Sequence, residues 1–395
     1  MKPKFDSIRI LPLAFAGLLA VLAGCNYKGP DAIWNPNAPL GIIPEILRVD
    51  PSPRAEPGVF TIALRGLNFG SDTSKIDVYF NSTQVLIKSR SDSVIVVYRP
   101  NIIGDDITIK VSLEGAAAFG KFSGYSVAEA ARLYGKLPQK SIISMLAVDK
   151  RETLYALKNN LKDFVLIDTA ETQTAFGNRT IKNKSADMKI GPDGGLYITE
   201  KKSSQLYRVP PEGGSTEPFA MFAANVHYID YDINGNLFGA GEKTGISVLL
   251  PDLTSRVVGN ASDLTVVCLH VYNNAVYVAD GTTIWRSEIQ DADGSLGKKT
   301  KIFNIAAVQE YAASKILSFV LDANGVFYIA TDHADAVFLY YPDGTTEPLY
   351  KGLLPKNSGQ LVWGNGNHLF LTMVLLPKTN DIMRFHVGAN EAPKQ

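Results

Sequence analysis

The feature that most constrains the fold is a phrase of about ten residues that recurs six times between residues 146 and 370. Each copy has an apolar segment, a polar turn rich in Asp, Asn or Gly, and a second apolar segment that carries an aromatic residue. The aromatic residues are 42, 41, 39, 51 and 42 residues apart. A period near forty with strand-like alternation and hairpin turns predicts a β-propeller of six four-stranded blades. The copies span residues 146–155, 188–197, 229–238, 269–277, 319–328 and 361–370.

The two ends of the repeat region are expected to close the ring together. The sixth copy continues through Asp381–Val387 and then runs into a polar tail, which leaves its blade one strand short. Ala131–Leu137, upstream of the first copy, is similar to the outer strands of the other blades. We therefore predict a propeller over residues 128–391 in which residues 128–137 supply the closing strand and remove an exposed edge. The one long interval contains the polar residues 290–300, which predict a hairpin insertion in the fourth blade.

The N-terminus has the pattern of an export signal. Basic residues precede Ile10–Val21, an apolar run too short to span a bilayer. It ends in Leu22–Cys25, which resembles the lipobox of bacterial lipoproteins. This resemblance implies that residues 1–24 are a cleaved signal peptide, that Cys25 is lipidated, and that several acyl chains anchor the protein to a membrane. Asn26 in place of Asp favours the outer membrane, and the proline-rich residues 25–41 are expected to form a tether.

Residues 42–127 have the pattern of a small β-sandwich. Short alternating strands with turn signals occur over about 85 residues. The turn Gly66–Gly70, followed by Val78–Phe80, resembles the IPT/TIG family of immunoglobulin-like domains. That family usually has Gly where this chain has Asn81, which also tolerates a positive φ. The resemblance implies a spacer or interaction module, and the complete fold class is all-β, a sandwich followed by a propeller.

The charge balance and the cysteines narrow the function. Basic and acidic residues number 39 each, which removes the electrostatic basis for binding nucleic acid. With Cys25 acylated, Cys268 has no cysteine partner, so no disulfide is expected, and its apolar surroundings indicate a buried thiol.

Four acids recur just after the aromatic residue of successive copies. Tyr277–Asp280 and Tyr328–Asp332 resemble a segment of NHL and related six-bladed repeats. Because blades are arranged radially, equivalent acids are expected to form a ring on one face, as a site for a cation, a sugar or a basic partner segment. The alternative is that each acid accepts hydrogen bonds from the adjoining turn of its own blade. The four acids are Glu200, Glu242, Asp280 and Asp332.

A second group of polar residues lies on the predicted innermost strands and is expected near the central channel, as a ligand site or as a solvated wall. These residues are Asp187, Lys189, His227, Asp230 and His270. The segment Asp230–Gly235 also resembles the start of an EF-hand loop. It has Gly241 where a bidentate Glu is needed, so a hairpin turn is the favoured interpretation.

These patterns favour a lipid-anchored envelope protein that acts as a non-catalytic binding or scaffold module for a glycan or a protein, without a cofactor. The alternative is a hydrolase resembling the gluconolactonase and senescence-marker family, which implies a divalent metal on the propeller axis. Asp187 and Asp230 supply part of such a ligand set, but only Asn225 lies near the start of an inner strand where the family's asparagines are needed.

Overall fold

The structure is a computed structural model that describes residues 41–70, 75–138, 141–158, 162–181, 184–354, 356, 358–376 and 379–394. The predicted signal peptide, Cys25 and the tether up to residue 40 lie outside these residues. Within the described ranges, no helix combines the length and the apolar character needed to cross a membrane.

Two mostly antiparallel sheets form the predicted immunoglobulin-like sandwich. One sheet has the strand order β1, β3, β7, β6: β1 is Glu45–Asp50, β3 is Thr61–Leu67, β7 is Val94–Tyr98 and β6 is Ile87–Arg90. The other has the order β2, β9, β8, β4, β5: β2 is Arg54–Ala55, β9 is Gly120–Val127, β8 is Gly104–Leu113, β4 is Ile76–Phe80 and β5 is Thr83–Val85.

Phe69 of the Gly66–Gly70 turn anchors the sandwich core. Phe69 is fully buried between the sheets, and Asn68 and Gly70 take φ angles of 62° and 70°. A Cβ atom on Gly66 would lie 1.8 Å from the carbonyl oxygen of Glu45, so only glycine fits beside β1.

Six four-stranded blades follow, which confirms the propeller. Each blade carries its repeat aromatic on the second strand, and all six aromatics are buried. Blade one consists of β11 (Ile143–Val148), β12 (Leu154–Lys158), β13 (Asp163–Ile167) and β14 (Gln173–Asn178). Blade two consists of β15 (Ser185–Ile190), β16 (Leu196–Glu200), β17 (Gln205–Val209) and β19 (Glu217–Met221). Blade three consists of β20 (Tyr228–Tyr231), β21 (Leu237–Ala240), β22 (Ile246–Leu249) and β23 (Ser255–Gly259). A two-residue strand, β18 (Gly214–Ser215), pairs in parallel with β14.

Blades four to six complete the ring. Blade four consists of β24 (Cys268–Tyr272), β25 (Ala275–Ala279), β26 (Thr283–Glu288) and β27 (Thr300–Asn304). Blade five consists of β28 (Ile316–Leu321), β29 (Phe327–Thr331), β30 (Val337–Tyr340) and β31 (Thr346–Pro348). Blade six consists of β32 (Ser358–Trp363), β33 (His368–Leu376), β34 (Thr379–His386) and β10 (Ala131–Tyr134). Two short 3-10 turns, Ile305–Ala307 and Gln309–Tyr311, follow the fourth blade. In the sixth blade β10 pairs antiparallel with β34, so a strand from before the first repeat joins the last.

The connection between β26 and β27 contains the polar insertion of the fourth blade. It folds back through a bridge between Ile289 and Leu296 and packs against the third blade. There the carbonyl oxygen of Ala292 accepts a hydrogen bond of 2.8 Å from Asn236.

Tyr350 links the sandwich to the propeller. Its hydroxyl accepts a hydrogen bond of 2.8 Å from the Gly58 amide and donates one of 2.7 Å to the carbonyl of His386. Its ring lies edge-on to Phe60 with centroids 4.9 Å apart. The sandwich therefore contacts the fifth and sixth blades, next to the ring closure.

The segment after β34 crosses the propeller at the end of the channel where the inner hairpins turn. It bonds first to the fifth blade, where Ala323 donates to the Asn390 carbonyl and Ala392 donates to the Leu321 carbonyl, both at 2.9 Å. It then reaches the fourth blade, where Asn273 donates to the Pro393 carbonyl at 2.8 Å. Residues 388–394 are called the C-terminal strap below.

Candidate functional site

The innermost strands enclose a cavity on the propeller axis. β11, β15, β20, β24, β28 and β32 each contact the innermost strands of both neighbouring blades. Near the starts of these strands they leave a cavity of about 310 Å³. The C-terminal strap lies at the other end of the channel, where the strands run into their hairpin turns.

The cavity is lined by the position that directly precedes each repeated phrase. This position is outside the six-fold consensus, and its chemistry differs in every blade. From the first blade to the sixth it is occupied by Met145, Asp187, Tyr228, Cys268, Ser318 and Gln360. The residue that faces the axis thus lies just before the repeated phrase and differs from blade to blade.

Several of these side chains join adjacent blades. Asp187 accepts a hydrogen bond of 3.1 Å from the amide of Ile229 in the next blade. Ser318 accepts one of 3.1 Å from Leu361, and Gln360 accepts one of 2.8 Å from Leu146, which closes the ring from the sixth blade to the first. The channel wall therefore holds the blades together as well as lining the cavity.

Asp230 lies one layer deeper and is occupied by protein donors. Its carboxylate accepts 3.0 Å hydrogen bonds from the amides of Tyr231 and Val271. The ammonium group of Lys394, from the C-terminal strap, lies 2.7 and 2.6 Å from its two oxygens. His270 Nδ1 is 3.4 Å from the same carboxylate. A lysine of the protein thus supplies the positive charge at this level of the axis.

Burial and these charges shift the protonation of the axial groups. Burial opposes ionisation of Asp230, but the ammonium groups of Lys394 and Lys189 outweigh it and hold the pKa of Asp230 well below its usual range. Burial and the nearby Lys189 lower the pKa of His270 to about 4, so this imidazole is neutral at pH 7. Burial also raises the pKa of Asp187 and raises the pKa of the Cys268 thiol to about 11.

Two polar groups of the cavity lack hydrogen-bond partners among the described residues. The Ser144 hydroxyl is buried and unbonded. The Lys189 ammonium forms no hydrogen bond or ion pair with them, although the carboxylates of Asp187 and Asp230 overcome the effect of burial and raise its pKa. A charged donor and a neutral donor are therefore directed into the cavity.

The remaining sequence-derived candidates lie elsewhere. His227 does not line the cavity, because its Nε2 accepts a 3.2 Å hydrogen bond from the Lys202 amide of the second blade. Asp187, Asp230 and His270 do meet near the axis. Sequence reasoning did not identify Ser144, Gln360 or Lys394 as axial groups. Aligning the six phrases and reading the preceding position would have found Gln360.

The four acids that were expected to form a ring lie one per blade, at the end of β16 or just beyond β21, β25 and β29. Three of them accept hydrogen bonds from residues close to them in sequence. Glu200 is buried and accepts a 3.1 Å hydrogen bond from Tyr207. Asp280 caps its turn by accepting from the Thr282 and Thr283 amides at 2.9 and 2.8 Å. Asp332 accepts from the Lys315 amide at 2.8 Å. Glu242 is exposed beside the bridge to Thr265. These contacts fit the turn-capping alternative.

The described residues do not fit an axial divalent metal. They contain no group of three His, Cys, Asp or Glu side chains placed to hold one. The Asp230 carboxylate is already paired with an ammonium group, and Asp187 is hydrogen-bonded to the next blade. The EF-hand-like segment is a hairpin, because Asp232 accepts from the amides of Asn234 and Asn236 at 2.9 and 2.8 Å.

Comparison with known families and structures supports both halves of the fold. Residues 44–127 match the IPT/TIG domain family. None of the curated proteins compared with the chain matches it.

Some solved structures match most of the chain, and others match about two thirds of it. An auxiliary nutrient binding protein from Bacteroides ovatus has 12% sequence identity and a TM-score of 0.52, covering 89% of this chain and 98% of that one. A second auxiliary nutrient binding protein, from Bacteroides thetaiotaomicron, has 14% identity and a TM-score of 0.50, covering 91% and 99%. A putative gluconolactonase has 14% identity and a TM-score of 0.51, covering 67% of this chain and 93% of its own. At these identities the likeness shows the fold alone.

Proposed function

We propose that this protein is a non-catalytic binding module that holds a small polyhydroxylated ligand, a mono- or disaccharide, in the axial cavity of its propeller. The observation that carries the proposal is the cavity itself, where the repeats diverge and polar groups converge. Its volume of about 310 Å³ is at the lower end of the range of about 300–1,000 Å³ for ligand pockets.

The chemistry of the lining suits a sugar. Lys189 and Ser144 offer donors, Asp187 and Ser318 present oxygen atoms that already accept one or more protein hydrogen bonds, and Tyr228 adds an aromatic side chain. A saccharide presents hydroxyl groups on its edges and apolar C–H groups on its faces, so it matches such a mixed surface. Two of the structural neighbours that extend over both domains are auxiliary nutrient binding proteins, which agrees with this proposal.

Cys268 provides a direct test of where a ligand binds, because its thiol lines the cavity. In a Cys25→Ser variant it is the only cysteine of the chain. The full-length variant is titrated calorimetrically with a panel of mono- and disaccharides, and the labelling rate of Cys268 by a small thiol reagent is measured with and without each sugar. We expect a binding sugar to protect Cys268.

Two results would contradict this function. Saccharides that bind without protecting Cys268 would place the site outside the cavity. A stoichiometric divalent metal in the purified protein that supports hydrolysis of a sugar lactone would favour the hydrolase alternative.

We also propose that the protein is exported and anchored through lipid on Cys25, with the outer membrane as its destination. The sandwich would then act as a spacer that holds the propeller away from the membrane. Mass spectrometry of the mature N-terminus and membrane fractionation test this proposal. Cys25→Ser should release the protein from the membrane, and Asn26→Asp should shift it toward the inner membrane.

A further inference from the structure

We infer that Lys189 makes the axial cavity selective for an acidic sugar, whose carboxylate would bind the Lys189 ammonium and the Ser144 hydroxyl. This inference rests on the proposed function and adds the substrate class and the residue that determines it. It follows from counting which hydrogen-bonding groups of the cavity the protein itself satisfies.

Two hydrogen-bond donors of the cavity have no acceptor among the described residues. The Lys189 ammonium carries three N–H groups, and none forms a hydrogen bond or ion pair with a described residue. The Ser144 hydroxyl is buried and also unbonded within the described part of the chain. Lys189 is half-buried and the Ser144 hydroxyl is buried, so a ligand that brings acceptors into the cavity gains free energy by bonding to them.

The hydrogen-bond acceptors at the cavity, in contrast, mostly accept from donors of the protein itself. Asp187 accepts from the Ile229 amide and, at 3.3 Å, from the Gln360 side chain. The side-chain oxygen Oε1 of Gln360 accepts from the Leu146 amide. Asp230 accepts from two amides and from Lys394. The carboxylates that balance the charge of Lys189 are thus committed to other donors.

A cavity with an excess of donors selects a ligand rich in acceptors. An ionised carboxylate on a sugar is a stronger acceptor than a hydroxyl oxygen, and it adds charge attraction to the Lys189 ammonium. A neutral sugar of the same size still fits, but it offers Lys189 only hydroxyl oxygens. The predicted ligand is therefore a monosaccharide or disaccharide that carries a carboxylate.

The test compares glucuronate with glucose, which differ at one carbon. Affinities are measured by calorimetry on the full-length Cys25→Ser protein, and Cys268 protection shows that each sugar occupies the cavity. We expect glucuronate to bind about tenfold or more tightly than glucose. In Lys189→Met this preference should fall to about twofold while glucose binding persists. Lys201→Met, which removes an exposed lysine, is the matched control and should keep the full preference.

Different failures have different meanings. Equal affinity of the two sugars in the unmodified protein, or an unchanged preference in Lys189→Met, would overturn the role of Lys189 and leave the binding function in place. Failure of both sugars to bind or to protect Cys268 would overturn this inference, and failure of the whole saccharide panel would overturn the proposed function as well. Thermal melting of Lys189→Met confirms that the variant is folded.

Discussion

Replacing Lys394 with methionine should destabilise the propeller, because it removes the charge that pairs with a buried carboxylate. The Lys394 ammonium contacts both oxygens of Asp230, whose side chain is only 4% exposed. Methionine keeps most of the apolar length of lysine, so the change removes charge and little packing. The strap remains bonded through its backbone to the fourth and fifth blades.

The size of the destabilisation depends on the hydrogen-bond donors that Asp230 retains when Lys394 is replaced. Removing one partner of a fully buried ion pair costs about 3–5 kcal/mol. Here the Lys394 side chain is 32% exposed, so water partly replaces it, and Asp230 retains two amide donors. We therefore expect a loss of about 2 kcal/mol, equivalent to a decrease of about 4–8 °C in Tm.

Lys299→Met is a matched control. Lys299 pairs with an aspartate, at 2.7 Å from Asp263, and lies over the Trp285 ring at 4.8 Å, as Lys394 lies over the Tyr272 ring at 5.4 Å. The side chain of Asp263 is 61% exposed, however, so this pair should contribute at most about 1 kcal/mol. Scanning calorimetry of both variants at pH 7 measures the difference. Equal decreases in Tm would refute the view that the strap is held by a buried charge pair.

Three further predictions concern the domain link, the axis and the turn acids. Tyr350→Phe removes both hydrogen bonds of the hydroxyl that joins the domains, and should cost about 1–3 kcal/mol and speed proteolysis between sandwich and propeller. His270 stays neutral in the folded protein down to about pH 4, whereas the unfolded chain protonates it below about pH 6.5, so stability should fall as pH decreases through this window. Denaturant titrations of His270→Gln should show a flatter pH dependence there. Asp280→Ala should cost about 1 kcal/mol through its lost turn hydrogen bonds and leave sugar affinity unchanged, and Asp280→Asn should restore most of the stability.

The repeat pattern predicted the propeller because hairpin chemistry and alternation act locally. Asp232 and Asp322 cap their turns by accepting backbone amides within four residues, so the sequence alone carries this signal. The sandwich could be predicted equally well from the sequence, since Phe69 and its flanking positive-φ residues form a local motif.

The site was predicted only in part, because it depends on distant contacts. Asp187, Asp230 and His270 were expected near the axis from their strands. The bond from Gln360 to Leu146 joins residues 214 positions apart, and that from Lys394 to Asp230 joins residues 164 apart. No short-range pattern reports such pairs. His227 shows the converse, since it directly precedes an inner strand yet is held by the neighbouring blade.

The ring closure has a consequence for how the molecule is made. β10 must wait for β34, and the strap must cross the finished blades, so the propeller cannot be completed while residues 379–394 are missing. Assembly from such sequence-distant parts is expected to be slow and to expose strand edges in the meantime. A chain cut short before residue 379 should therefore remain open and become a substrate for proteases. Only a chain that has its C-terminal residues can complete the sixth blade and escape this degradation.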